Sequence, residues 1–167
     1  VLISCLLIGP YSGISKSLAQ EHQTLTTPSL VVDLDTGAVL HAEAAGHPWY
    51  PASTAKLMTA LITFQALQRG TIDLSTPVIL SHNAMDQSAA YAGLKVGNAM
   101  TLEEALYAVL VGSANEVAVA LAETIAGTEA AFVEMMNAQA DRLGMTATHF
   151  TNPNGLFDRK QTISARD

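Results

Sequence analysis

The 167-residue chain is 49% hydrophobic and 14% charged, and its formal net charge is −7. This composition supplies enough apolar side chains for a buried core and argues against intrinsic disorder. The acidic residues are scattered along the chain, and their excess argues against a nucleic acid or an anionic membrane surface as a partner. We therefore expect a globular domain.

Residues 1–19 have the pattern of a secretory signal peptide without its basic n-region. The segment is apolar at its start and ends in small residues, Ser17-Leu18-Ala19, at the positions that signal peptidase recognises. It is too short to span a bilayer, and a buried N-terminal helix or a lipoprotein box at Cys5 are the alternatives. Since Cys5 is the only cysteine, the mature protein would have no disulfide. Residues 20–28 are predicted to be a polar linker.

Two strands are predicted to open the domain, at residues 29–34 and 38–41, because β-rich runs flank the turn signal Asp35-Thr36-Gly37. Asp33 and Asp158 are also interpreted as turn residues. A proline-containing segment then leads into an apolar-periodic stretch, residues 53–68, which stops at Gly70. We expect this stretch to be a long, buried helix.

The second half of the chain is predicted to be mostly helical. Thr101-Leu102-Glu103-Glu104 matches a capping box, in which the threonine and the last glutamate satisfy each other's backbone donors. A glycine stops each of the last two helices, and residues 164–167 look like the first turn of another helix. The predicted elements are a strand at 77–80, a helix capped by Ser81, a helix from Thr101 to near Gly112, and helices at 116–125 and about 128–143.

Ser53 and Lys56 are the candidate nucleophile and base. A spacing of three places both side chains on one face of a helix. Serine is a weak nucleophile unless a base takes its proton, and lysine can do so only if burial or a helix N-terminus destabilises its ammonium form. A chance Ser-x-x-Lys pair is usually a helix cap beside a solvated lysine. Here the pair opens the most hydrophobic predicted helix, which favours a reaction site with the Ser53 N–H as an oxyanion donor.

Ser113-Ala114-Asn115 is the second candidate motif, because it lies at a predicted break between two helices. There the Ser113 hydroxyl could relay a proton and the Asn115 amide could hold a substrate carbonyl. The alternative is that Ser113 caps the next helix. Ser81-His82-Asn83 has the same pattern but is interpreted as a helix cap. The histidines show no metal-ligand spacing, so we predict neither a metal site nor a cofactor.

These motifs resemble the low-molecular-mass penicillin-binding proteins, which are D-alanyl-D-alanine carboxypeptidases of the S11 serine peptidase type. The resemblance implies an α/β fold of the α+β type, similar to β-lactamases and DD-peptidases, with a helical cluster packed on an antiparallel sheet. It makes residues 29–167 a truncated catalytic domain whose C-terminal strands are missing. The matching segments are residues 51–59, 112–123 and 149–156.

The resemblance also implies roles for the candidate residues. Ser53 would be acylated by a peptidoglycan stem peptide ending in D-Ala-D-Ala, Lys56 would be the general base, Ser113 a proton relay, and Asn115 a substrate-binding amide. β-Lactams would acylate the same serine. The protein would act in the periplasm or cell envelope, and any membrane anchor would follow Asp167. The family's Lys-Thr-Gly motif is absent from these residues and would also follow Asp167.

Three alternatives remain at the level of the sequence. A D-alanyl-D-alanine endopeptidase would share Ser53, Lys56 and the Ser-x-Asn motif. A class A β-lactamase fits less well, because Ser113-Ala114-Asn115 lacks the middle aspartate of that group. A non-catalytic module that binds muropeptides could use the same fold as a scaffold only.

Overall fold

The computed structural model describes residues 26–87 and 93–167, so the predicted leader and most of the predicted linker lie outside the described residues. Helices and antiparallel strands occur together, which confirms the predicted class. None of the described helices is long and apolar enough to cross a membrane. The elements are β1 (Ser29–Val32), β2 (Val39–Glu43), a 3-10 turn (Ala52–Thr54), α1 (Ala55–Gln68), β3 (Pro77–Ile79), α2 (His82–Met85), β4 (Ala99–Thr101), α3 (Leu102–Leu110), α4 (Asn115–Ala126) and α5 (Glu129–Leu143).

The hairpin β1–β2 is antiparallel, and its turn is held by Asp33. The Asp33 carboxylate accepts hydrogen bonds from the N–H and the hydroxyl of Thr36, at 2.8 and 2.6 Å, which confirms the predicted turn. Within the described part of the chain, the hairpin packs against none of the helices. Val39 and Leu40 are therefore largely exposed. The helices instead contact the second sheet, in which β3 pairs with β4.

Helix α4 is the centre of the helical cluster. Its residues from Glu116 to Ala122 are all buried, and it contacts α1, α2, α3 and α5. Six of these seven residues are apolar, so the helix is stable only inside a core, and its alanines let the neighbouring elements approach closely. The N-terminus of α4, where Asn115 lies, is consequently held on a rigid support.

Helix α1 buries one side and exposes the other. Ala55, Met58 and Ile62 pack against Phe132 and Met136 of α5. The predicted long helix forms, but it is buried on one side only, because α1 carries apolar residues all round while its described neighbours cover only part of it. The exposed apolar residues are Leu57, Leu61 and Phe64, at 65%, 36% and 48%.

Most of the predicted helix ends are confirmed. The capping box forms, with the Glu104 N–H donating to Thr101 Oγ1 and the Thr101 N–H donating to Glu104 Oε2. Ser81 caps α2, since its Oγ accepts from the Ala84 N–H at 2.9 Å. However, α2 is a single turn, and residues 88–92 behind it lie outside the described residues. The short strand β4 was not predicted.

Candidate active site

Ser53 lies on the 3-10 turn that leads directly into α1. The prediction placed Ser53 and Lys56 together in the first turn of an α-helix, whereas only Lys56 lies in α1. Ala52 has a positive φ of 48°, and its carbonyl oxygen faces Gly155 so closely that a Cβ on Gly155 would lie 1.8 Å from it. The turn that carries Ser53 is thus in close backbone contact with the loop that carries Gly155.

The Lys56 amine is buried and has three oxygen atoms around it. The side chain is 3% exposed, and Nζ lies 2.6 Å from Asn154 O, 2.8 Å from Asn115 Oδ1 and 3.2 Å from Ser53 Oγ. An ammonium group has three N–H donors, so these oxygens satisfy it completely. A neutral amine has two donors and one lone pair. If the two shorter contacts take the donors, the lone pair faces the Ser53 hydroxyl.

Burial lowers the pKa of Lys56, whereas the negative charge of Glu116 raises it by less. Glu116 is fully buried on α4. Desolvation disfavours the charged amine, and a nearby carboxylate partly opposes that effect. The net lowering of the pKa increases the neutral fraction of the amine, which is the form that accepts a proton.

Ser113 reaches the same point from the other side of the site. Its Oγ donates to Ser53 Oγ at 2.9 Å. Its φ of +57° interrupts the helical backbone between α3 and α4. The alternative role as a cap is wrong, because the N-cap of α4 is Ala114, without a side-chain bond. Asn115 is the first residue of α4 rather than part of the break. The structure therefore brings together all four predicted residues.

Sequence reasoning assigned no role to the loop at residues 151–161, which presents the Asn154 carbonyl to Lys56. Gln161 is almost fully buried, and its Oε1 accepts from the Thr151 and Asn152 N–H groups. Thr59 of α1 ties the loop down by donating to Pro153 O at 2.6 Å. The available signal was the Asn-Pro-Asn-Gly turn, where glycine is needed for a φ of +82°.

A cavity of about 290 Å³ lies beside Ser53. The rings of Tyr50 and Phe157 meet edge to face on its wall, with centroids 4.9 Å apart. The described residues contain no group of three His, Cys, Asp or Glu side chains placed to hold a metal ion. The cavity is lined, among others, by Tyr50, Ser53, Asn115, Asn154, Phe157 and Gln161.

Comparison with known proteins identifies the family. The model of the D-alanyl-D-alanine carboxypeptidase family, peptidase S11, matches residues 15–167. The chain belongs to this family. A D-alanyl-D-alanine carboxypeptidase of Bacillus subtilis is 37% identical over 139 residues, which are 83% of this chain and 36% of that protein. A D-alanyl-D-alanine endopeptidase of Pseudomonas aeruginosa is 30% identical, with 83% and 44% covered.

The fold agrees with this assignment. Penicillin-binding protein 5 of Haemophilus influenzae superposes with a TM-score of 0.78 at 33% identity, covering 83% of this chain and 41% of that one. The D-alanyl-D-alanine carboxypeptidase of Francisella tularensis gives a TM-score of 0.79 at 31% identity, with 83% and 34% covered. The predicted DD-peptidase fold is therefore confirmed. The chain spans less than half the length of each of these relatives.

Proposed function

We propose that this chain carries the acylating site of a serine D-alanyl-D-alanine carboxypeptidase, which removes the terminal D-alanine from peptidoglycan stem peptides. The contacts of the buried Lys56 amine carry this proposal. In the neutral amine, N–H donors placed on Asn115 and Asn154 by the two short hydrogen bonds leave the lone pair for Ser53. The names of the relatives supply the substrate class.

In the acylation step, neutral Lys56 takes the hydroxyl proton of Ser53. The Ser53 Oγ then forms a bond to the carbonyl carbon of the penultimate D-alanine, and the C–N bond to the terminal D-alanine breaks. Ser113 donates to Ser53 Oγ, and we assign it the relay of the proton from Lys56 to the leaving amine. Asn115, whose Oδ1 accepts from Lys56, would orient the substrate carbonyl.

In the deacylation step, water attacks the ester on Ser53. Lys56 is neutral again once its proton has gone to the leaving amine, so it can accept a proton from that water. The C–Oγ bond breaks, and Lys56 returns the proton to Ser53 Oγ, so both groups regain their starting states. The N–H of Ser53 would donate to the oxyanion in both steps.

We propose the remaining assignments on the same basis. β-Lactams acylate Ser53, and the protein acts in the cell envelope outside the cytoplasmic membrane. Residues 1–19 are a signal peptide, residues 20–28 a linker, and residues 29–167 part of the catalytic domain. These assignments are supported by the penicillin-binding relatives and by the composition of the N-terminal segment.

Acylation by a fluorescent penicillin, followed by intact-mass analysis, tests the proposal on the full-length protein. We expect one adduct, which is lost in Ser53→Ala. Ser81→Ala is the control, because it removes the hydroxyl of a serine that caps α2. A folded protein that binds muropeptides without forming an adduct would contradict the proposal and favour the non-catalytic module.

The endopeptidase is the second candidate, and the Pseudomonas aeruginosa relative is the observation in its favour. Mass spectrometry of digests separates the two activities. A carboxypeptidase shortens monomeric pentapeptides by one D-alanine, whereas an endopeptidase converts cross-linked dimers into monomers.

A further inference from the structure

We propose that Asn152 and Gln161 are positioning residues for Lys56, because they fix the loop that places the Asn154 carbonyl oxygen on the amine. The inference rests on the proposed role of Lys56 as the general base. Neither residue contacts Lys56 in the structure, and both act through the backbone of Asn154. The loop in question is residues 151–161.

Gln161 joins the two ends of this loop. Its side chain is 1% exposed, and its Oε1 accepts from the N–H groups of Thr151 and Asn152, at 2.9 and 3.0 Å. Its Nε2 donates to Asn152 Oδ1 at 3.2 Å. A buried amide whose oxygen and nitrogen are both hydrogen-bonded favours a single loop conformation, since any other would leave these groups unsatisfied.

Asn152 then spans the turn in which Asn154 lies. Its Oδ1 accepts from the Gly155 N–H at 2.8 Å, and its Nδ2 donates to Leu156 O at 2.9 Å. These two bonds fix the peptide units that follow Asn154. The Asn154 carbonyl consequently points at Lys56 Nζ, 2.6 Å away, rather than into the cavity beside Ser53.

The direction of this carbonyl determines where the lone pair of Lys56 points. With Asn115 and Asn154 holding two N–H donors, the lone pair faces Ser53; without Asn154, an N–H can turn toward Ser53 instead. Water would replace the missing carbonyl and rehydrate the amine. Burial is the main cause of the low pKa of Lys56, and Glu116 of α4 is the charged group among the described residues that acts on it. Loosening the loop therefore raises the pKa.

The test compares Asn152→Leu with Asn152→Asp, which keeps the Oδ1 acceptor for Gly155. Penicillin acylation rates are measured across pH, and the pKa of Lys56 is measured by NMR titration of its Cε resonance. We expect Asn152→Leu to lose about tenfold or more in rate, with its acid limb and the pKa of Lys56 both moved to higher pH. Asn152→Asp should recover part of the rate. Gln139→Met is the control, since Gln139 is also buried but contacts Arg142 of α5.

A folded Asn152→Leu with the wild-type rate, pH profile and Lys56 titration would overturn the inference. If Asn152→Leu does not fold, the same measurements on Gln161→Glu decide, because this variant keeps Oε1 and loses the Nε2 donor. The NMR titration needs no catalysis. A wild-type protein that forms no adduct would therefore contradict the proposed function, while the titration would still support or overturn the positioning role.

Discussion

Gly155→Ala is the change for which the structure gives the most definite expectation. Gly155 has a φ of +82°, and a Cβ there would lie 1.8 Å from the Ala52 carbonyl oxygen and 2.5 Å from its carbon. An L-residue at this φ is strained by about 1–2 kcal/mol, and forcing extra volume into a packed site adds about 1–3 kcal/mol. Together these effects amount to about 2–5 kcal/mol, against a total stability of about 5–15 kcal/mol for a typical domain.

Gly127→Ala separates the two contributions. Gly127 has a similar φ, +79°, but nothing lies within 4 Å of the position of its Cβ, so only the strain of about 1–2 kcal/mol should appear. Urea unfolding followed by circular dichroism gives both free energies of unfolding. Gly155→Ala should also acylate more slowly, because Ala52 precedes Ser53. Equal losses of stability in the two variants would refute the close approach of Gly155 to Ala52.

Four further substitutions are predicted to have measurable effects. Ser113→Ala should slow penicillin acylation and leave the helix ends intact. Ser81→Ala should acylate normally but lose about 1 kcal/mol of stability, because its helix cap is removed. The reverse pattern in acylation rates and urea unfolding would contradict the roles assigned to the two serines. The unfolded chain binds the Lys56 proton more tightly than the folded protein, because the folded pKa lies below 10.5. The unfolding free energy of the wild type minus that of Lys56→Met, measured by urea titration, should therefore increase as the pH rises toward 10.5. A difference that does not change with pH would contradict the lowered pKa of Lys56. Thr101→Ala should lose about 0.5–2 kcal/mol on urea unfolding, and no loss would argue against the capping box.

The helix ends could be predicted because their causes are local. Thr101 and Glu104 need only each other, and Gly127 ends α4 because a glycine readily adopts a left-handed conformation. The exposed side of α1 could not be predicted. Leu57 and Phe64 fit an apolar pattern as well as the buried Met58 does, and only the positions of the neighbouring elements decide which of them is covered.

In the candidate site, too, local contacts could be predicted and contacts between distant residues could not. The spacing of Ser53 and Lys56 is local, so their contact could be predicted from the helical pattern. The contact between Ser113 and Ser53 joins residues sixty positions apart, and only the resemblance to a family anticipated it. The contact of Lys56 with Asn154 was missed because its acceptor is a backbone carbonyl, a group that every residue has.

Backbone strain helps to bring the Ser53 and Ser113 hydroxyls together. Of the described non-glycine residues, Ala44, Ala52 and Ser113 have positive φ, and the last two flank the reacting oxygen of Ser53. Each such residue costs about 1–3 kcal/mol and persists only where its surroundings enforce it. The Ser113 hydroxyl does not cap α4, whose N-cap residue is Ala114. The left-handed conformation directs it to Ser53 instead, and the buried α4 keeps it there.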